Sequence, residues 1–352
     1  MVCRSFLHAL VLVLAVVVSA AAVQAQPSSL PQRLTGASSI GADGREEIRR
    51  FGEAWVNVLE SGDRDRIHEA RRRLTDPMSL GASEAFRFNY GEVLVPLLEP
   101  LAEGDDTQIA INAVQAIGMI KTDRALGSLV SLADANNEPR PVVRRHAATL
   151  AGVIVRDGQA DRVTLAQARV HAALRALSRA AGRETEWIVL VQQLRALGNQ
   201  TDEFGRRQLA STLDDVLERL EDSDEQDLEL MRAVHPTLVQ LRDRIIQMDD
   251  QQRQSAGVRF APVLGRVLTI AERHWEVGQD DDDALHRAIG GSVQDSERLL
   301  AFLDPVIRGS NANPPTPQTG LYDAWNAGDA DRFTDEVQRW NDVLTSNAYA
   351  RR

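Results

Sequence analysis

Apolar residues recur with the 3.6-residue period of a helix almost without a break from Arg45 to Leu303, and no stretch alternates as a strand would. Two spacings occur twice. Leu94, Leu97, Leu98 and Leu101 are answered by Leu126, Leu129, Val130 and Ala133, and Ile109, Ala113, Ile117 and Ile120 by Val143, Ala147, Ala151 and Ile154. Gly118 recurs as Gly152. Each set puts an apolar stripe on one helix face. The pattern predicts helices over 90–102, 106–118, 122–134 and 140–155. Turns are expected at Asp105 and Asp106 and again between Asn137 and Pro141. The second helix of each pair is apolar nearly all round and should be the more buried.

These pairs resemble HEAT-type (armadillo-like) α-solenoid repeats. "DDTQIAINAVQAIGMIKTDRALGSLVSLAD" and "PVVRRHAATLAGVI" are similar to that family's helix, short turn and partner helix. Arg144 stands where the family often carries an arginine, and Pro96 where its first helix is often kinked. Ala110 holds the arginine position in the earlier repeat. The resemblance covers about 90–155 and implies a fold rather than a chemistry. Since about three repeats are needed to bury both faces, 45–199 is read as HEAT-like repeats, with Ile48–Leu59 and Ile67–Leu74 as a capping pair.

Beyond Asn199 the helices lengthen: about 202–221, 224–248, 252–277 and 282–304. Pro236 and Pro262 should kink or split two of them. The span 200–307 reads as a helical subdomain of longer helices, either bundle-like or a continuation of the stack. A proline-rich linker follows at 308–320, then a C-terminal helical hairpin at 321–346 turning at Gly328 and Asp329. Phe333, Val337, Trp340 and Leu344 share one face of it and need a surface to dock on: either residues 200–305, as an intramolecular cap, or another protein. The expectation is an all-α protein: a HEAT-like solenoid, a longer-helix subdomain and a terminal hairpin.

The first 25 residues change the compartment. Arg4 precedes a continuous apolar run from Ala9 to Val18, and small residues lead to Val23, Gln24 and Ala25. That is the layout of a secretory signal peptide cut after Ala25, with retention as a membrane anchor as the alternative. Residues 26–44, rich in Pro, Ser and Gly, read as a linker. Cys3, the only cysteine, leaves with the signal, so the mature chain has no thiol for disulfide, nucleophile or zinc. Lys121 is the only lysine among 40 basic residues, the bias of a GC-rich bacterial genome. A secreted or periplasmic location follows.

The net charge of -11 argues against a nucleic-acid partner, which needs a basic footprint. Charge is uneven: 141–200 hold nine arginines against four acids, and 201–305 twelve against twenty-three. Arg175, Arg179 and Arg183, four apart, form a stripe that could meet an acidic partner or pair within the chain. Chemistry is thin. There is no phosphate loop and no nucleophile elbow, and His68-Glu69 lacks the second histidine of a zinc-protease motif. Glu272, His274, Glu276, Asp280 to Asp283 and His286 are the best metal candidates. The four aspartates read more simply as the start of a helix, where negative charge is favoured.

The leading expectation is therefore an exported, non-catalytic α-helical scaffold that binds a protein partner and needs no cofactor. Arg175, Arg179, Arg183, Trp325 and Trp340 are the candidate partner surface. The alternatives are an envelope lyase or hydrolase using acids and histidines near 272–286, and an accessory subunit of a membrane complex.

Overall fold

A computed structural model describes residues 29–78, 81–221, 223, 225–279, 283–309, 312–346 and 348–349. The signal segment and its cleavage point lie outside them. The described residues form an all-α solenoid. After a single turn, α1 (Gln32–Thr35), come α2 (Ala42–Glu60), α3 (Arg64–Thr75), α4 (Glu84–Glu103), α5 (Thr107–Ile120), α6 (Asp123–Leu132), α7 (Pro141–Gln159), α8 (Gln167–Ala181) and α9 (Trp187–Gly198). They are followed by α10 (Glu203–Glu221), α11 (Met231–Ile246), α12 (Asp250–Arg273), the one-turn α13 (Trp275–Gly278), α14 (Asp283–Arg308), α15 (Leu321–Ala327) and α16 (Ala330–Leu344).

Helix starts are marked locally. Asp63, Ser83, Asp106, Thr122, Asp249 and Asp329 each accept a first-turn backbone N–H with the side chain. The paired stripes then fix the layers. Helices α2, α4, α6, α8, α10 and α12 pack in sequence as one layer, and α3, α5, α7, α9, α11 and α14 as the other. The repeated glycine has a clear use in the second layer. A Cβ on Gly118 would lie 2.8 Å from Leu150 of α7, and one on Gly152 would lie 3.1 Å from Ala196 of α9. Glycine at this point lets successive second-layer helices approach closely.

Polar chemistry runs along the edge where first-layer helices end. Their last carbonyls have no partner inside the helix. Arginines of the following pair supply one. Arg140 donates to the carbonyls of Ala102 (3.1 Å) and Gly104 (2.6 Å), and Arg219 to that of Glu184 (2.9 Å). Arg273 reaches Glu221 (2.5 Å), and His274 Nε2 lies 3.0 Å from the carbonyl of Leu220. Arg144, the residue singled out in the repeat, is 4 % exposed and makes a bidentate pair with the buried Glu184 at 2.8 and 2.9 Å. It also donates to the carbonyls of Glu138 and Pro139, so it fastens two turns together.

Three expectations are corrected. Residues 200–307 do not form a separate bundle: α10 packs on α8, α11 on α9, α12 on α10 and α14 on α11, so the stack simply continues. The prolines do not split its helices. Pro96, Pro100, Pro262 and Pro305 lie inside helices with exposed side chains, so the carbonyl freed one turn earlier faces water. Pro236, half-buried, is carried within α11 by packing on both flanks. The predicted linker at 26–44 is also structured over much of its length. Leu34 and Ile40 are buried, α1 packs on α4, and Ser83 donates its N–H to Thr35 and its hydroxyl to Ala37. Two isolated apolar residues in a polar segment leave no periodicity to read.

Candidate functional site

The arginine stripe lies on the exposed face of α8, and its three members have different surroundings. Arg183 pairs with Asp134 at 2.8 Å, and Arg175 lies over the Phe204 ring at 5.7 Å. Arg179 is exposed and makes no ion pair with any described residue. The stripe is thus drawn partly into contacts with α10 and the turn after α6.

Trp325 and Trp340 are not on a surface. Both are fully buried inside the chain, which corrects their reading as a partner surface. The terminal hairpin closes the stack: α15 packs on α14 and α16 on α12. Trp325 fills a socket left by two glycines. A Cβ on Gly290 would lie 2.6 Å from its Nε1, and one on Gly278 would lie 2.5 Å from its ring. Trp275, His286 and Phe333 complete the cluster, with ring centroids 5.1, 5.4 and 5.8 Å from Trp325. Phe333, Val337 and Trp340 turn the predicted apolar face of α16 inward.

Buried carboxylates align this hairpin. Glu297 of α14 accepts the N–H groups of Gly320 (2.6 Å) and Leu321 (2.8 Å), capping α15 from outside its own sequence. Asp304 is fully buried and receives Arg308 (2.5 and 2.7 Å), Thr316 (2.5 Å) and the Tyr349 hydroxyl (2.6 Å). Burial pushes its pKa up, but these donors outweigh that and hold it below the usual carboxylate value. The proline-rich segment and the C-terminal tail are therefore both tied to α14.

The two histidines proposed for metal binding or catalysis have structural partners. His274 lies against the Leu220 carbonyl, and His286 Nδ1 is 2.8 Å from the Gly278 carbonyl while its ring stacks on Trp325. Among the described residues no three His, Cys, Asp or Glu side chains gather as a metal site; residues 280–282 lie outside them.

An open cleft of about 1340 Å³ lies between α10, α12, the end of α14 and the C-terminal tail. Ser211, Gln251, Gln254, Ser255 and Asn313 line it, with Tyr349 in its far wall. Its charged residues are engaged. Arg207 and Arg259 both reach Glu203, Arg308 holds Asp304, and Asp214 lies 3.5 Å from Arg266. Amides and hydroxyls remain as its uncommitted polar lining. Periodicity could not reveal this cleft, because its walls come from four segments spread between Arg207 and Tyr349.

No family model matches the chain, and no curated protein matches it. Solved structures similar to the chain include designed and engineered proteins. A designed armadillo repeat protein has 15 % identity over 69 % of this chain and 98 % of its own, at a TM-score of 0.34. An engineered protein has 16 % identity over 70 % and 98 %, at 0.35. A second designed armadillo repeat protein, solved in complex with a (KR)4 peptide, has 15 % identity over 69 % and 98 %, at 0.36.

Proposed function

We propose that the protein is an exported, non-catalytic helical scaffold that holds an extended segment of a protein partner in the cleft beside α12. The observation that carries this reading is the lining of the cleft. Its charges are paired within the chain, while Ser211, Gln251, Gln254, Ser255 and Asn313 offer neutral donors and acceptors. An extended peptide backbone presents alternating N–H and C=O groups, and side-chain amides can serve both. The cleft follows α12 from Gln251 to Val263. At 1.5 Å per helical residue that is about 18 Å, the length of about five extended residues. Export rests on the sequence alone: the apolar run, the small residues and Ala25.

The test uses the chain from residue 26 onward. Heptapeptides are selected against it and their affinities measured for wild type and for the Q254R/S255R variant. Both positions are exposed, so the fold should stand. The expected result is at least a tenfold loss of affinity in the variant, about 1.4 kcal/mol. Selected peptides that bind the variant equally well would move the partner surface elsewhere. The intact mass of the exported protein checks the cut after Ala25.

A further inference from the structure

A second, smaller cavity of about 250 Å³ lies between the turn after α9 and helices α10, α11 and α12. Its charge is unusual for this chain. The protein carries a net -11 and is most acidic in this region, yet the cavity is lined by two arginines, Arg206 and Arg244, and by no aspartate or glutamate. Arg206 is committed: it donates to the Thr201 carbonyl at 2.5 Å and faces Glu203 at 3.4 Å. Arg244 is not. It has no ion pair and no hydrogen-bond acceptor among the described residues, although Arg242, two positions earlier, is held by Asp295 at 2.6 Å. Arg244 is half-buried, and burial alone lowers its pKa from the ordinary arginine value. A guanidinium withdrawn from water without an anion is a cost that a bound anion would offset.

The rest of the lining narrows the class of anion. Leu241, Met248 and Phe260 give apolar walls. Gln240 stands beside Arg244 in sequence spacing, one helical turn earlier on α11, and is set close to Gly198, where a Cβ would come within 3.2 Å of its Oε1. One uncommitted guanidinium matches one negative charge. A phosphate dianion would need a second free cation, and Arg206 is occupied. A planar carboxylate suits the guanidinium fork. The cavity is smaller than the roughly 300–1,000 Å³ of sites for drug-sized ligands, so the molecule must be small.

We propose that this cavity binds a small monocarboxylate, its carboxylate held by Arg244 and Gln240 and its apolar body against Leu241, Met248 and Phe260. The site is distinct from the cleft beside α12 and does not depend on the scaffold reading. Calorimetric titration of the chain from residue 26 onward with hexanoate, hexanamide, N-acetylleucine and inorganic phosphate tests it. A carboxylate, hexanoate or N-acetylleucine, should bind at least tenfold more tightly than hexanamide and more tightly than phosphate. Preference for hexanoate identifies a free acid; preference for N-acetylleucine identifies a chain end. R244Q should erase the preference over the amide while keeping the unliganded melting temperature, because Arg244 loses no partner. Should R244Q fail to fold, Q240L must weaken the better carboxylate at least threefold. Equal binding of carboxylate and amide, tighter binding of phosphate, no binding, or an unchanged preference in R244Q or Q240L overturns the proposal.

Discussion

The helix pairs from α4 to α9 and the terminal pair α15–α16 use different physics to join the same stack. Between repeats, the second-layer helices meet through small residues, Gly118 against Leu150 and Gly152 against Ala196. The chain enters each pair through the first layer and leaves through the second. At the end the order is inverted: α15 lies on second-layer α14, and only then does α16 lie on first-layer α12. No repeated face fits that arrangement. Its joint is specified group by group, with Trp325 in a glycine socket, Glu297 on the start of α15 and Asp304 gathering three donors. The repeat region carries a buried carboxylate of its own, Glu184 on Arg144, but its helix faces recur from one pair to the next. A unique interface needs contacts that no other register satisfies, and a buried carboxylate is satisfied in one geometry only.

Removing residues 311–352 should have the largest effect. It strips Trp325, Phe333 and Trp340 from α12 and α14, each ring covering about 150–250 Å². The shortened protein should lose tens of per cent of its soluble yield, or melt well below wild type, in expression and calorimetry. An unchanged melting temperature would show that the stack is complete at α14. Trp340→Ala should cost about 3–5 kcal/mol in denaturant unfolding, as should Glu184→Ala, which leaves Arg144 buried without its anion. Glu297→Ala should cost about 1–3 kcal/mol, because it strands the N–H groups of Gly320 and Leu321.

Acid and alkali should separate the joints further. The folded pKa of Asp304 is depressed below its ordinary 3.8, so its contribution is complete above that value. It is lost as pH falls through the depressed folded value. Tyr349 moves the other way: burial, then the Asp304 charge, raise it above its ordinary 10.0. Its contribution is complete below that value and declines as the unfolded phenol ionises above it. Melting temperature against pH should show the hairpin firm between these limits, and Tyr349→Phe should make the alkaline limb shallower. Smallest of all, Arg175→Ala on the exposed face of α8 should change stability by less than about 0.5 kcal/mol. Leu97→Ala should cost less than Ile117→Ala, since Leu97 is half-buried and Ile117 fully so.

The repeat region was legible because its evidence is local. The expected helices at 106–118 and 140–155 are observed at Thr107–Ile120 and Pro141–Gln159. Arg144 was marked by position, and its partner Glu184 was not, because 40 residues separate them. The continuation of the stack through α14 stays open in the sequence for the same reason. Helix lengths and exposed prolines are written in the sequence, whereas the packing of α11 on α9 is not. The aromatic face of α16 is legible in the sequence, but its seat on α12 depends on Gly265, against Leu344, and that of α15 on Gly278 and Gly290, against Trp325; all three look like weak points until a ring or a leucine occupies them. Neither the cleft beside α12 nor the cavity at Arg244 had any signal in periodicity.

The inverted order of the last two helices also sets a boundary condition. A stack of like units is a one-dimensional lattice, and nothing in a repeating face tells it where to stop. Here the final layer turns Asp331, Thr334, Asp335, Gln338, Arg339 and Asp342 outward, all exposed, while its rings point back. A further unit arriving in the regular order would meet a mixed-charge surface, with the two layers transposed. Among the described residues the hairpin thus breaks the lattice symmetry: the face it presents lacks the apolar stripe on which a unit in the regular order would dock.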